Sequence, residues 1–269
     1  MQAPWYRLLQ FLSFYRPAVT KYQLHSPFVF ELAQEVLDDD RWYYAFRDVE
    51  QVREQMLHSD LELEVTDFGA GAGPARRPLR QIARRAASSP LQGRMLFRLA
   101  NRLAPKTILE LGTSVGIGAM YLASAVRSAR LITLEGCPEC ARMARANLGL
   151  LELRNAEVVT GEFGQTLPAA LEHLKTLDLV FIDGNHRAEP TLGYFENCLP
   201  YSHERTVFVF DDVYWSAGMK KAWQSVQNHA RVTLTIDFFD LSLAFIDPGF
   251  REKQHFRVVP AYFKPWKFF

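Results

Sequence analysis

Three short stretches carry residue types at spacings that could do chemistry. In Ile108-Leu-Glu-Leu-Gly112-Thr-Ser-Val-Gly116-Ile-Gly118, an apolar run of strand length ends in a glycine turn and continues into an amphipathic helix through Ala125. Glycines there let the backbone come close to a ligand. The spacing is not the G-x-G-x-x-G turn that cradles a pyrophosphate, and Glu110 with the wider turn suits a ligand without phosphates. About twenty residues on, Leu131 to Leu134 ends in Glu135, where an acid can accept hydrogen bonds from both hydroxyls of a ribose.

Acidic residues follow two later apolar runs: Asp183 after Leu177 to Ile182, and Asp211-Asp212 after Thr206 to Phe210. If these runs are parallel strands, the carboxylates converge on the crevice beyond the strands' carboxyl ends and repel one another unless compensated. Mg²⁺ or another divalent cation, preferring hard oxygen ligands, would compensate Asp183, Asp211 and Asp212 and lower the pKa of a substrate hydroxyl. His186, in Asp183-Gly-Asn-His186, is chemically suited to accept a hydroxyl proton; the plainer readings are a helix cap or a ligand contact. Without a metal, Asp183 acts as base or orients substrate, and Asp212 caps the turn into the next helix.

These residues need a frame to hold them. From Leu91 to about residue 228, strand-length apolar runs alternate with helix-length segments, the pattern of a parallel sheet with crossover helices. Strands are expected at Thr107 to Leu111, Leu131 to Glu135, Glu157 to Thr160, Leu177 to Ile182 and Thr206 to Phe210. Val232 to Phe238 and Leu241 to Ile246 are close enough to form an antiparallel pair. Upstream, Trp5, Leu8, Leu9, Leu12 and Tyr15 recur at helical spacing, Pro27 follows Ser26 as a helix start, and Val49 to Leu57 is amphipathic. The Asp67-Phe-Gly-Ala-Gly-Ala-Gly73 stretch looks like a nucleotide loop, but Glu62 and Glu64 interrupt the strand that should precede it. Pro74 would open a helix with a basic face of Arg76, Arg80 and Arg84 beside Arg77 and Arg85, read as solvated or as facing an acidic partner.

The motif series Glu110-Leu-Gly-Thr-Ser-Val-Gly116, Glu135, Gly161-Glu162 and Asp178-Leu-Val-Phe-Ile-Asp183 resembles class I S-adenosylmethionine-dependent methyltransferases, over roughly residues 91 to 246. The resemblance implies an α/β, Rossmann-like, doubly wound, mostly parallel seven-stranded sheet with an N-terminal helical cap. It divides the chain into a cap at 1–90, the S-adenosylmethionine-binding domain at 91–246, and an aromatic C-terminal tail at 247–269 packed on the domain or a partner. Glu110, Gly112 and Ser114 would line the methionine side, Glu135 would hold the ribose, and Gly161 with Glu162 would lie near the adenine. Thr113, Gly116, Gly136 and Asp183 complete the cofactor-binding set.

The later segment is similar to catechol-type O-methyltransferases, in which an Asp and an Asp-Asn pair hold magnesium and a lysine serves as base. Here the pair is Asp211-Asp212 and the base position carries His186. With Asp211-Asp-Val-Tyr-Trp-Ser216, Gly218-Met219 and Ala222-Trp223, the stretch is closer to a broad set of uncharacterised bacterial methyltransferases. Asp183, His186 and Asp211 are the catalytic candidates. Tyr214 and Trp215 would line an acceptor pocket or face the sulfonium, with core packing favoured for Trp223.

The 269 residues carry 31 basic and 30 acidic side chains, a net charge of +1 that gives no global field for nucleic acid or an anionic membrane. No apolar run approaches the roughly 18 residues of a spanning helix, so a cytoplasmic protein is expected. Three cysteines build no disulfide framework, and Cys137-x-x-Cys140 has no second pair to complete a zinc site. The expected partner is a small-molecule acceptor, with a homodimer as a further option. Competing readings are an interaction module that binds the cofactor without turnover, and an NAD-dependent oxidoreductase, which lacks the phosphate-cradling glycines it would need.

Overall fold

The computed structural model describes residues 4–67, 72–85 and 88–264. They form two compact units, one of residues 41–185 and one joining 1–40 with 186–269.

The second of these units starts with helix α1 (Pro4–Tyr15), as the apolar spacing requires, but the buried face is not the one that spacing suggests. Phe14 is buried, whereas Trp5, Leu8, Leu9 and Leu12 are more than half exposed. Helix α2 (Pro27–Leu32) begins where expected: Pro27 takes the first helical position and the Ser26 hydroxyl accepts the Val29 amide at 3.5 Å. It continues as one wider turn over Ala33–Leu37.

In the unit of residues 41–185, helix α3 (Tyr44–Leu57) leads into strands β1 (Glu62–Asp67) and β2 (Ala72–Pro78), an antiparallel pair. The expected helix from Pro74 is therefore a strand, and helix α4 (Leu79–Arg85) starts only after Pro78. Cross-strand pairing of Glu64 with Arg76 supports the ladder, and proline's missing amide suits its end. Arg76 and Arg77 thus leave the expected basic helix, which retains Arg80 and Arg84. Residues 68–71 of the glycine stretch lie outside the described residues.

Helix α5 (Pro90–Leu103) then precedes the alternating core: β3 (Thr107–Leu111), α6 (Ile117–Ala125), β4 (Arg130–Glu135), α7 (Pro138–Leu150), β5 (Ala156–Thr160), α8 (Phe163–Leu174) and β6 (Leu177–Ile182). The four strands are parallel in the order β6-β3-β4-β5. Strands covered on both faces read as near-continuous apolar runs, and β3 and β6 do so. Helix α6 is buried from Ile117 to Ala123 because α3, α5 and α7 pack around it. Gly93 of α5 makes room for the Tyr121 ring, whose hydroxyl donates to Glu50 at 2.7 Å; Arg53 bonds both Glu50 and the Ser88 carbonyl.

The other unit resumes with α9 (Ala188–Cys198), β7 (Ser202–Asp211), α10 (Ala217–Asn228), β8 (Leu234–Asp237), β9 (Leu241–Phe245) and β10 (Gln254–Arg257). Strand β9 pairs antiparallel with β7 and with β8, the expected antiparallel pair, and β10 runs parallel to β8. Beside the β1–β2 pair, the two four-strand sets come to eight strands among the described residues, against the seven expected. The extra strand is β10, whose short, half-exposed alternation falls in the segment read as a tail. Phe263 of that tail lies against Phe11, and 265–269 fall outside the described residues.

Candidate functional site

The glycine turn after β3 is fixed from three sides. The Gly112 and Thr113 amides both donate to the Leu134 carbonyl, at 3.0 and 3.2 Å. Gly112 has φ +106°, and a Cβ there would stand 2.8 Å from the carbonyl carbon and oxygen of Asp183, a contact only glycine permits. Asp183 in turn donates its amide to the Leu111 carbonyl at 2.9 Å. The Asn147 side-chain amide of α7 donates to the Val115 carbonyl at 2.8 Å, and Gly116 at φ +91° opens α6 against Ala144.

Glu135 closes the arrangement from β4. The Ser114 amide donates to one carboxylate oxygen at 2.6 Å and the Cys137 amide to the other at 2.8 Å. Ser114 has left-handed backbone, φ +50°, which aims its N–H at that oxygen. The Gly161 amide donates to the Glu135 carbonyl at 2.9 Å, and Glu162 leads into α8, its carbonyl accepting the Gln165 and Thr166 amides. Gly136 links the strand end to α7. Within this unit Glu110, Gly112, Thr113, Ser114, Gly116, Glu135, Gly136, Gly161, Glu162 and Asp183 all stand at or beside the carboxyl ends of β3 to β6.

Glu110 lies beneath the turn, 1% exposed. The Thr133 hydroxyl donates to it and is itself bonded to Thr113, while its other oxygen abuts Gly118. Burial pushes its carboxyl up to about 8; the Thr133 hydrogen bond opposes this and the Glu135 charge adds to it. The native state therefore holds a proton that the unfolded chain releases near pH 4.5. The stability this proton provides is complete below that pH and falls as pH rises towards 8, by at most about 1.4 kcal/mol per pH unit. Glu110→Gln mimics the neutral form. Urea unfolding at pH 5 and pH 8 is expected to show a smaller drop for this variant than for the wild type; equal drops would place the titration elsewhere.

In the other unit, the carboxyl end of β7 carries Asp211, which is buried, and Asp212, at φ +49°. The Arg7 guanidinium of α1 lies 3.5 Å from Asp212 and 2.7 Å from Asp240. Asp212 does not cap the following helix through its side chain: Ser216 does, accepting the Met219 amide at 3.1 Å. Tyr214 is not lining open space, since its hydroxyl donates to buried Asp237 and its ring stacks on Phe239. Trp215 is the more exposed aromatic, 6.1 Å from the His186 ring, and Trp223 packs on Phe210 in the core as expected. The cation expected on Asp183, Asp211 and Asp212 does not fit the residues at the β7 end as they stand. Arg7 already bridges Asp212 and Asp240, and no three His, Cys, Asp or Glu side chains among the described residues are gathered as a metal ion requires.

Sequence reading missed Thr133, Asn147, Arg7 and Asp240. Arg7 had one signal, a lone charge in an otherwise apolar helix; the others act only through tertiary hydrogen bonds. Cys137 and Cys140 are both buried, and burial raises the Cys140 thiol far above the range of a reactive thiolate.

Residues 109–213 match a family model described as a methyltransferase domain. Over 128 residues the chain is 36% identical to a catechol O-methyltransferase of Niastella koreensis, covering 46% of this chain and 57% of that protein. The chain thus spans little more than half the length of that curated relative. Among solved structures, an O-methyltransferase from Bacillus cereus in complex with SAH is 22% identical with a TM-score of 0.54, covering 80% of this chain and 96% of the other. TomG, an O-methyltransferase from Streptomyces achromogenes involved in tomaymycin synthesis and solved with SAM, is 21% identical with a TM-score of 0.54, covering 81% and 94%. The likeness to these two solved structures is one of fold. No helix among the described residues is long and apolar enough to cross a membrane.

Proposed function

We propose that the chain is an S-adenosylmethionine-dependent methyltransferase that acts in the cytoplasm on an oxygen of a small or medium-sized acceptor. The observation that carries this reading is Glu135: an acid at the end of the second core strand, pinned by loop amides beside a glycine turn that does not suit a pyrophosphate. A carboxylate has about four acceptor positions, so the oxygens that take the two amides can also serve two ribose hydroxyls.

In this proposal Gly112, Thr113 and Ser114 bound the methionine side, with the neutral Glu110 carboxyl as their floor. Gly116 opens the helix that backs them, Gly136 lets the chain turn past the ribose, and Gly161 with Glu162 flanks the adenine. The sulfonium is already activated, so the protein's contribution is chiefly alignment of the acceptor. Asp183 orients the acceptor hydroxyl, and His186 takes its proton, with Asp211 as the remaining carboxylate at the acceptor end. No step is routed through a divalent cation, because Arg7 already neutralises Asp212.

Calorimetric titration of the purified protein with S-adenosylmethionine and with NAD tests the cofactor. Micromolar binding of the first and none of the second is expected, and preference for NAD would sink the proposal. A screen of phenolic and other hydroxyl acceptors then separates a working transferase from a module that only binds.

A further inference from the structure

We propose that Arg7 is the resident cation of the β7 end: its guanidinium takes the place of a divalent metal by bridging Asp212 and Asp240. Two observations carry this. The first is the bridge itself, 3.5 Å to Asp212 and 2.7 Å to Asp240, with the guanidinium also 5.8 Å from the centre of the Phe239 ring. Asp212 and Phe239 both adopt left-handed backbone, φ +49° and +77°, which costs free energy at non-glycine residues and persists only where the surroundings enforce it.

The second is how firmly α1 is held. Phe11 meets Phe239 edge-on at 5.1 Å, and Phe14 packs on Tyr214 and Phe239. Lys220 donates to Gln10 at 3.0 Å, Tyr15 donates to the Phe263 carbonyl at 2.7 Å, and Lys264 donates to the Tyr15 and Ala18 carbonyls. A helix clamped along its length delivers a fixed charge. A planar fork that reaches two carboxylates at once is the geometry of arginine and not of lysine.

Manganese alone is the probe, followed by electron paramagnetic resonance of the free ion with the full chain. Wild type is expected to leave Mn²⁺ free at concentrations where Arg7→Ala binds it at least tenfold more tightly, and Asp212→Asn in the Arg7→Ala background is expected to remove that gain. Arg7→Lys, which keeps a charge but not the fork, should fall between. Equal Mn²⁺ affinity in wild type and Arg7→Ala, whether tight or absent, overturns the assignment. Arg7 is half exposed, so the fold should survive its loss, and circular dichroism checks this. S-adenosylmethionine binding, titrated in parallel, reports on the proposed function separately from the metal result.

Discussion

Glu135→Ala is expected to lower S-adenosylmethionine affinity by about 100-fold or more while leaving the protein folded. The side chain makes two charge-assisted hydrogen bonds to the Ser114 and Cys137 amides, and in the proposed complex it also holds the ribose. Hydrogen bonds to a charged group contribute roughly 1.5–3 kcal/mol each, and tenfold in affinity is about 1.4 kcal/mol, so losing the cofactor contacts and the loop geometry together should exceed two decades. Glu135→Gln, which keeps one acceptor, should lose less than Glu135→Ala. Isothermal calorimetry measures both; a Glu135→Ala protein that binds as the wild type does would remove Glu135 from the site.

Gly112→Ala should have a comparable effect by a different route. The methyl group would sit 2.8 Å from Asp183 backbone atoms, which have no rotamer to escape into, and φ +106° is itself unfavourable for alanine. Either the turn or the end of β6 must shift. A cost of about 3 kcal/mol is expected from strain and overpacking, seen as a lower urea midpoint together with lost cofactor binding. Gly149→Ala, where a Cβ meets nothing within 4 Å, is the control. If both variants melt and bind alike, the close approach at Gly112 is not real.

Much of this frame is legible in the sequence. Strands β3, β4 and β6 read clearly because strands covered on both faces are near-continuous apolar runs, and the Glu110, Glu135 and Asp183 positions follow from where those strands end. Hidden were features that depend on pairing across the chain. The ladder of Glu62–Asp67 with Ala72–Pro78 was masked by charged residues and prolines that suggest a helix start. The buried side of α1 was not legible, because Trp5, Leu8, Leu9 and Leu12 form the more regular stripe while Phe11 and Phe14 make the contacts. Likewise Arg7 and Asp240, 233 residues apart, carry no local sign that they meet.

Ser114, Asn185, His186, Asp212 and Phe239 are non-glycine residues with left-handed backbone, and each follows the carboxyl end of a strand. Such conformations cost of order 1 kcal/mol or more apiece. The other three such residues among those described, Ala104, Glu152 and Lys175, lie at or after helix ends, so five of the eight sit in loops that follow strands. Selection for heat tolerance alone would relax these positions towards glycine or a different loop path, and would rework the strand-end loops before it touched the core.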